Sequence, residues 1–270
     1  MQQRIVTILI TMFLFGQTFA QETLTSDFFT QIKNYNLSVV IMADSIQDDG
    51  SDVFPRAEIL GFIGDDFQRF DIHFISMVQN KSNPYEYFAY GKTKVKNIIC
   101  EFKGTITVKE AKLDEKDSLE KYKYNKLNDV YEPDNSVTYK QGYVICEVAL
   151  YEDQKQKNTG FIIGNLISNF LLDTKGKIQY DAYYAVGDGF SNNGFIGTWT
   201  SYKTGKSKKC NWGDYRIPES EDLDVGTGVF LINDKYVKNG WKNFVLAWQA
   251  YPDTHKVIKA RQKEQEQWWK

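Results

Sequence analysis

The sequence predicts a mainly β protein, an antiparallel barrel or sandwich with a short N-terminal helix and one or two C-terminal helices. Three observations predict it. Phe, Tyr, Ile and Val recur throughout, and over residues 70–77 and 195–201 apolar side chains alternate at the period of two that a half-buried strand requires. Polar turns separate the apolar runs at short intervals, as in strands that meander. Between those runs lies no helical segment of about a dozen residues, the length a parallel crossover needs.

The first twenty residues predict the compartment. Arg4 supplies a charged start, residues 5–15 are apolar or threonine, and Thr18, Phe19 and Ala20 precede a cleavage site. This is the pattern of a secretory signal peptide over residues 1–20. The apolar run stops at Gly16, short of the roughly 18–20 residues that span a bilayer. Later stretches are shorter or more polar, so the mature chain is expected to have no transmembrane span and to be periplasmic or extracellular. With 33 basic and 35 acidic residues the formal charge is −2, which creates no field to attract nucleic acid. A 42% hydrophobic content is enough for a packed core.

Five segments follow in order. After the signal, residues 21–108 form a first β-rich half. Ser26 is expected to cap a short helix carrying Asp27, Phe28, Phe29 and Ile32, and residues 37–42 read as a strand. The QDDGSD stretch, with Asp48, Asp49 and Asp52, lacks the alternating ligands and closing glutamate of a calcium loop and reads as a solvated turn. Strands are expected over 58–63, 70–77, 85–95 and 98–108. Residues 109–135, fourteen of 27 of them Lys, Asp or Glu, interrupt the alternation as a charged excursion or a hinge between two sheets.

Residues 136–218 form a second β-rich half, with strands at 139–151, 159–172 and 177–186. The glycine-rich loop at 187–194 is followed by a strand and not by the helix N-terminus that a phosphate cradle uses, so it reads as a wide turn. A hairpin over 194–218 then turns around Gly205. In residues 219–270, Val237, Trp241, Phe244, Val245 and Trp248 fall at helical spacings, although Asn239–Gly240 would also suit a turn. The tail from 254 is expected to be helical and loosely docked.

Candidate chemistry is sparse. Only His73 and His255 are available as bases, and His73 sits opposite in pleat parity to Phe70, Ile72 and Phe74, a wall position. The scattered cysteines and histidines show no metal-ligand spacing, and no cofactor motif is present. Cys100 and Cys146 lie in similar runs, NIICEF and YVICEV. They are a possible disulfide if their strands are neighbours, and otherwise two buried thiols. The 210–218 segment offers Trp212 and Tyr215 as stacking faces, with Asp214 and Arg216 two apart on an extended strand and able to pair. The competing structural role has Trp212 and Arg216 packed over the mouth of a barrel.

The Gly197, Thr198, Trp199 triplet resembles the G-x-W of lipocalins, whose barrels bind small apolar molecules and pack an arginine on that tryptophan, a part Arg216 would play here. The triplet opens the first strand in lipocalins, whereas here about seventy residues follow it. The resemblance implies a calycin-like architecture by analogy and carries over no ligand.

The expected function is that of an exported, non-catalytic binding or interaction protein whose site, at a barrel end, comprises Trp199, Trp212, Asp214, Tyr215 and Arg216. Its partner would be a small molecule, a glycan or an envelope protein. The alternative is a carboxylate-dependent hydrolase of extracellular glycans using Asp188, Asp214, Glu221 or Asp224 beside those aromatic rings. A third possibility is an envelope structural protein whose C-terminal helices, ending in Trp268 and Trp269, dock on a partner or a membrane surface.

Overall fold

The computed structural model describes residues 25–47, 53–125, 127–250 and 254–270. The signal segment 1–20 and the turn at Asp48, Asp49 and Asp52 lie outside the described residues. The described residues open with β1 (Thr25–Asp27), α1 (Phe29–Ile32) and α2 (Ser38–Ile41). Ser26 does not cap α1: its hydroxyl bonds the Leu113 carbonyl, and the Asp27 carboxylate instead accepts from Phe29 N at 3.0 Å. The strand expected at 37–42 is also corrected. Asn36 accepts from Ser38 N, and Leu37, Val40 and Ile41 share one buried face at the 3,4 spacing of a helix.

A small hairpin, β2 (Ser45–Gln47) with β3 (Val53–Pro55), precedes the main sheet. Then come β4 (Leu60–Ile63), β5 (Gln68–Asn80), β6 (Asn83–Val95), β7 (Ile98–Asn125), β8 (Val130–Glu152) and β9 (Gly160–Asp173). After β10 (Ile178–Tyr180), β11 (Asn192–Ser201) and β12 (Ser207–Asp214) form the expected hairpin. Each of β4 to β9 pairs antiparallel with the next, β9 pairs with β11, β11 with β12, and β12 returns to β4. The pairs follow one another around a barrel-like sheet, but β4 meets β5 only at Phe62–Arg69 and Ile63–Gln68, so most of β5 has β6 alone as its strand partner. Within the charged stretch β7 continues to Asn125 and β8 starts at Val130, and the two pair as a long ribbon.

Alternation sends one set of residues inward, and they fill the ring. Phe70, Phe102, Val144, Val148, Ile162, Phe170, Phe195 and Trp212 are among its buried members, and α1 and α2 add Phe28, Ile32, Leu37, Val40 and Ile41 to the same core. A bulge between Phe74 and Ser76 shifts parity, so Met77 turns inward where strict alternation would expose it. The Phe195 ring lies across Gly197, where a Cβ would stand 2.4 Å from Cζ. The glycine of the GTW triplet is thus a place where an aromatic ring crosses the backbone.

Outside the ring, Leu60 and Phe62 face the C-terminal segment and join Ile217, Leu223, Phe230, Trp241 and Phe244 in a second core. The helix expected from Val237 is broken: Asn239 and Gly240 leave helical geometry, Gly240 at φ +98°, and α3 (Lys242–Trp248) starts after the break. The tail is firmly docked, in contrast to expectation. In α4 (His255–Glu264) Val257 and Ala260 are buried, Glu264 pairs with Arg69 at 2.7 Å, and Trp269 stacks on His73 at 3.7 Å. Lys94 lies 4.6 Å from the Trp268 ring centroid. Both terminal indoles therefore have partners within the chain.

Candidate functional site

The five residues expected at one barrel end do not form one pocket. Register places Asn192 opposite Asp214 and Trp199 opposite Lys208, at opposite ends of the β11–β12 pair. Along the strand Trp199 is thus roughly 20 Å from Asp214 and roughly 13 Å from Trp212, at about 3.3 Å per residue. There its indole N–H donates to Glu152 at 2.9 Å, and Glu152 also accepts from Thr93 Oγ1 and Gly160 N. The arginine that the lipocalin resemblance put against this indole is absent from it: Arg216 bonds Asp224 at 2.7 Å and the Gly226 carbonyl.

Trp212 is 1% exposed and stacks on Phe195 at 3.6 Å, so its face is packed in the core. Asp214 does not pair with Arg216. The chain leaves β12 through Tyr215 at φ +64°, which breaks strand parity and sends Arg216 away. Asp214, 0% exposed, instead holds Arg56 at 2.8 Å and accepts from Tyr180 Oη and Asn193 Nδ2. Arg56 also donates to the carbonyls of Ile41 and Ala43, so the network ties α2 to this end of the ring.

The possible Cys100–Cys146 disulfide is not formed: all three cysteines are free and buried. Their strands are neighbours, but Cys146 stands opposite Val108, eight positions along β7 from Cys100. That separation is several times the ~7 Å a disulfide tolerates. Burial pushes the Cys100 thiol up to about 11 and the Cys146 thiol up to about 12.

Beside the Asp214 network the outer surface is concave. At Asp181 the chain leaves β10 and turns on itself, the carboxylate accepting from Tyr183 N at 3.1 Å and from Gln141 Nε2 at 2.8 Å. The side chain of Asn192 bonds both the N–H and the C=O of Asn169, fastening the 181–191 loop to β9. Asn193 reaches Asp214 below. The result is a groove of about 420 Å³ with Gln141, Tyr143 and Asn169 on its floor, Asp181, Tyr184 and Phe190 along the loop, and Thr25 and Asp114 opposite. Tyr215 supports it from behind, its ring edge-on to Phe190 at 5.1 Å. Of the expected site, Asp214 and Tyr215 serve as scaffold for this groove.

Asp181 is 6% exposed, and burial raises its carboxyl above the ordinary carboxylate range against the opposing effect of its two hydrogen bonds. Both of those partners are neutral. Tyr184 is 56% exposed on the loop. The residues 180–184, YDAYY, carry an acid among phenols, a signal visible in the sequence but hidden there within an expected strand. A second concavity of about 520 Å³ is an open apolar part of the outer face between Val78, Phe88, Tyr90 and Tyr151.

The acids considered for glycan cleavage have other roles. Asp214 is enclosed, Asp224 holds Arg216 and two backbone N–H groups, Glu221 pairs with Lys209, and Asp188 lies against Gly228. Among the described residues no three metal-ligating side chains cluster. No protein-family model matches this chain, and comparison with curated proteins and with solved structures finds no match to it.

Proposed function

We propose that this protein is an exported, non-catalytic binding protein in which the ring of strands is a filled scaffold and a small polar ligand lies in the external groove beside Asp181. One observation carries the proposal: a buried carboxylate with only neutral hydrogen-bond partners lines a concavity that also presents aromatic rings. Small-molecule sites have this composition, apolar walls with a few placed polar groups, and typical volumes of roughly 300–1,000 Å³. The interior is an unfavourable alternative, because Phe195, Trp212 and the N-terminal helices occupy it.

Thermal denaturation with saccharide and amine libraries tests the proposal. A ligand at about 100 times its Kd adds about 2.7 kcal/mol, and Tyr184→Ala should remove that stabilisation while leaving the unliganded melting temperature within about 2 °C. A ligand effect that survives Tyr184→Ala would refute the groove as the site. Export is tested by fractionation of the full-length chain.

The hydrolase alternative retains one specific support. Asp114 and Asp181 line the same groove, and glycoside cleavage uses two carboxyl groups, one of them with a raised pKa. Release of reducing sugar by the wild-type chain and its loss in both Asp114→Asn and Asp181→Asn would favour that reading over simple binding.

A further inference from the structure

The geometry points to an organic cation, a primary amine on a small apolar body, as the class of ligand this groove takes, an inference that rests on the groove being the binding site. The charge balance of the lining is the first reason. Asp181 lines it with neutral hydrogen-bond partners, and among the described residues lining the groove there is no Lys, Arg or His. The nearest basic residue in register is Lys112, opposite Tyr143, and it is not part of the lining. Glu110, which accepts from Tyr143 Oη at 3.2 Å, adds a further carboxylate at the edge.

A buried ionised carboxylate is costly without a counter-charge, and among the described residues none pairs with Asp181. Its partners, the Gln141 amide and the Tyr183 N–H, satisfy hydrogen-bonding capacity but not charge. An ammonium group entering the groove supplies what is missing. The rings supply the rest: Tyr184 and Phe190 line the loop side and Tyr143 the floor, and an aromatic face attracts a cation through its quadrupole while covering an apolar body. A bare metal ion fits less well, since no three ligating side chains cluster among the described residues.

Matched probe pairs test this on the mature chain by isothermal titration and NMR: phenethylamine against 2-phenylethanol, and 1,4-diaminobutane against 1,4-butanediol. The expected result is binding of the amines at least tenfold tighter than their neutral partners, weakened at least tenfold by Asp181→Asn and, independently of that substitution's effect on folding, by Tyr184→Ala. Alcohols or neutral saccharides binding as tightly as the amines, or amine affinity unchanged in Asp181→Asn, would overturn the cation while leaving the groove in place. Groove resonances that no amine, alcohol or saccharide perturbs would overturn the groove and the cation together.

Discussion

Asp214→Ala is the perturbation whose effect the structure specifies most fully. The Asp214 carboxylate is inaccessible to solvent and is the counter-charge of Arg56, whose side chain is 7% exposed. Removing it leaves a guanidinium held only by the Ile41 and Ala43 carbonyls, with its Nε already lacking a partner, and strands Tyr180 Oη and Asn193 Nδ2. Breaking a buried pair from one side costs about 3–5 kcal/mol. At about 2–4 °C per kcal/mol for a chain of this size, the melting temperature should fall by roughly 6–20 °C. Replacing both partners by apolar residues, Arg56→Met with Asp214→Leu, should recover at least ~2 kcal/mol of the summed single losses, because no charge is then left buried. Hydrogen exchange should accelerate at residues 38–43 and 181–193, the two segments the network fastens. Urea melts of the four proteins give the cycle. A loss below ~1 kcal/mol for Asp214→Ala, or strictly additive losses, would refute the reasoning.

Iodoacetamide should label no cysteine in the folded protein and all three after unfolding without reductant, because the thiols are buried and their pKa values raised; mass spectrometry showing a persistent bridge would contradict the register. Glu152→Ala should cost several kcal/mol, at about 1–3 for each of the three donors it orphans, with Trp199 fluorescence shifting to the red; a variant as stable as wild type would mean the far end is not held by that carboxylate. Gly197→Ala should destabilise by about 1–3 kcal/mol through overpacking on Phe195, read from denaturant midpoints, whereas an unchanged midpoint would mean that the ring yields. Burial raises the Asp181 carboxyl, so the folded state holds its proton more tightly than the unfolded chain, and the resulting penalty is absent below the unfolded pKa and complete above the folded one. Asp181→Asn should therefore stabilise the unliganded protein at pH 7, the gain shrinking as pH falls through the carboxylate range; a loss at pH 7 would reverse the sign.

Strand alternation made the antiparallel sheet legible, because a residue's place on one face or the other follows from parity. Two features defeated that rule. The β-branched run Val39, Val40, Ile41 has strand propensity, but Leu37, Val40 and Ile41 bury one helical face, and packing against the core outweighs propensity. Over residues 109–135 Lys, Asp and Glu fall on successive positions, so no apolar alternation marks as strand the parts that pair in β7 and β8.

The candidate site was legible only in part. Parity sets Asp214 and Arg216 on one side of an extended strand, but the left-handed turn at Tyr215 diverts Arg216 and leaves no trace that pairing rules could detect. Arg56, 158 positions from its partner Asp214, could not be matched to it without the fold. The groove draws on β1, β7, β8, β9 and the 181–191 loop, a juxtaposition that exists only once these strands have paired.

The central claim is that the ligand sits outside a filled ring, and ¹H–¹⁵N shift mapping during addition of alkylamines and simple saccharides tests it most directly. The account predicts perturbed amides at Asn169, Tyr183, Tyr184 and Phe190 with the Trp212 indole N–H unmoved. Movement of Trp212 and Phe195 while the groove amides stay silent would place the ligand in the interior and contradict it.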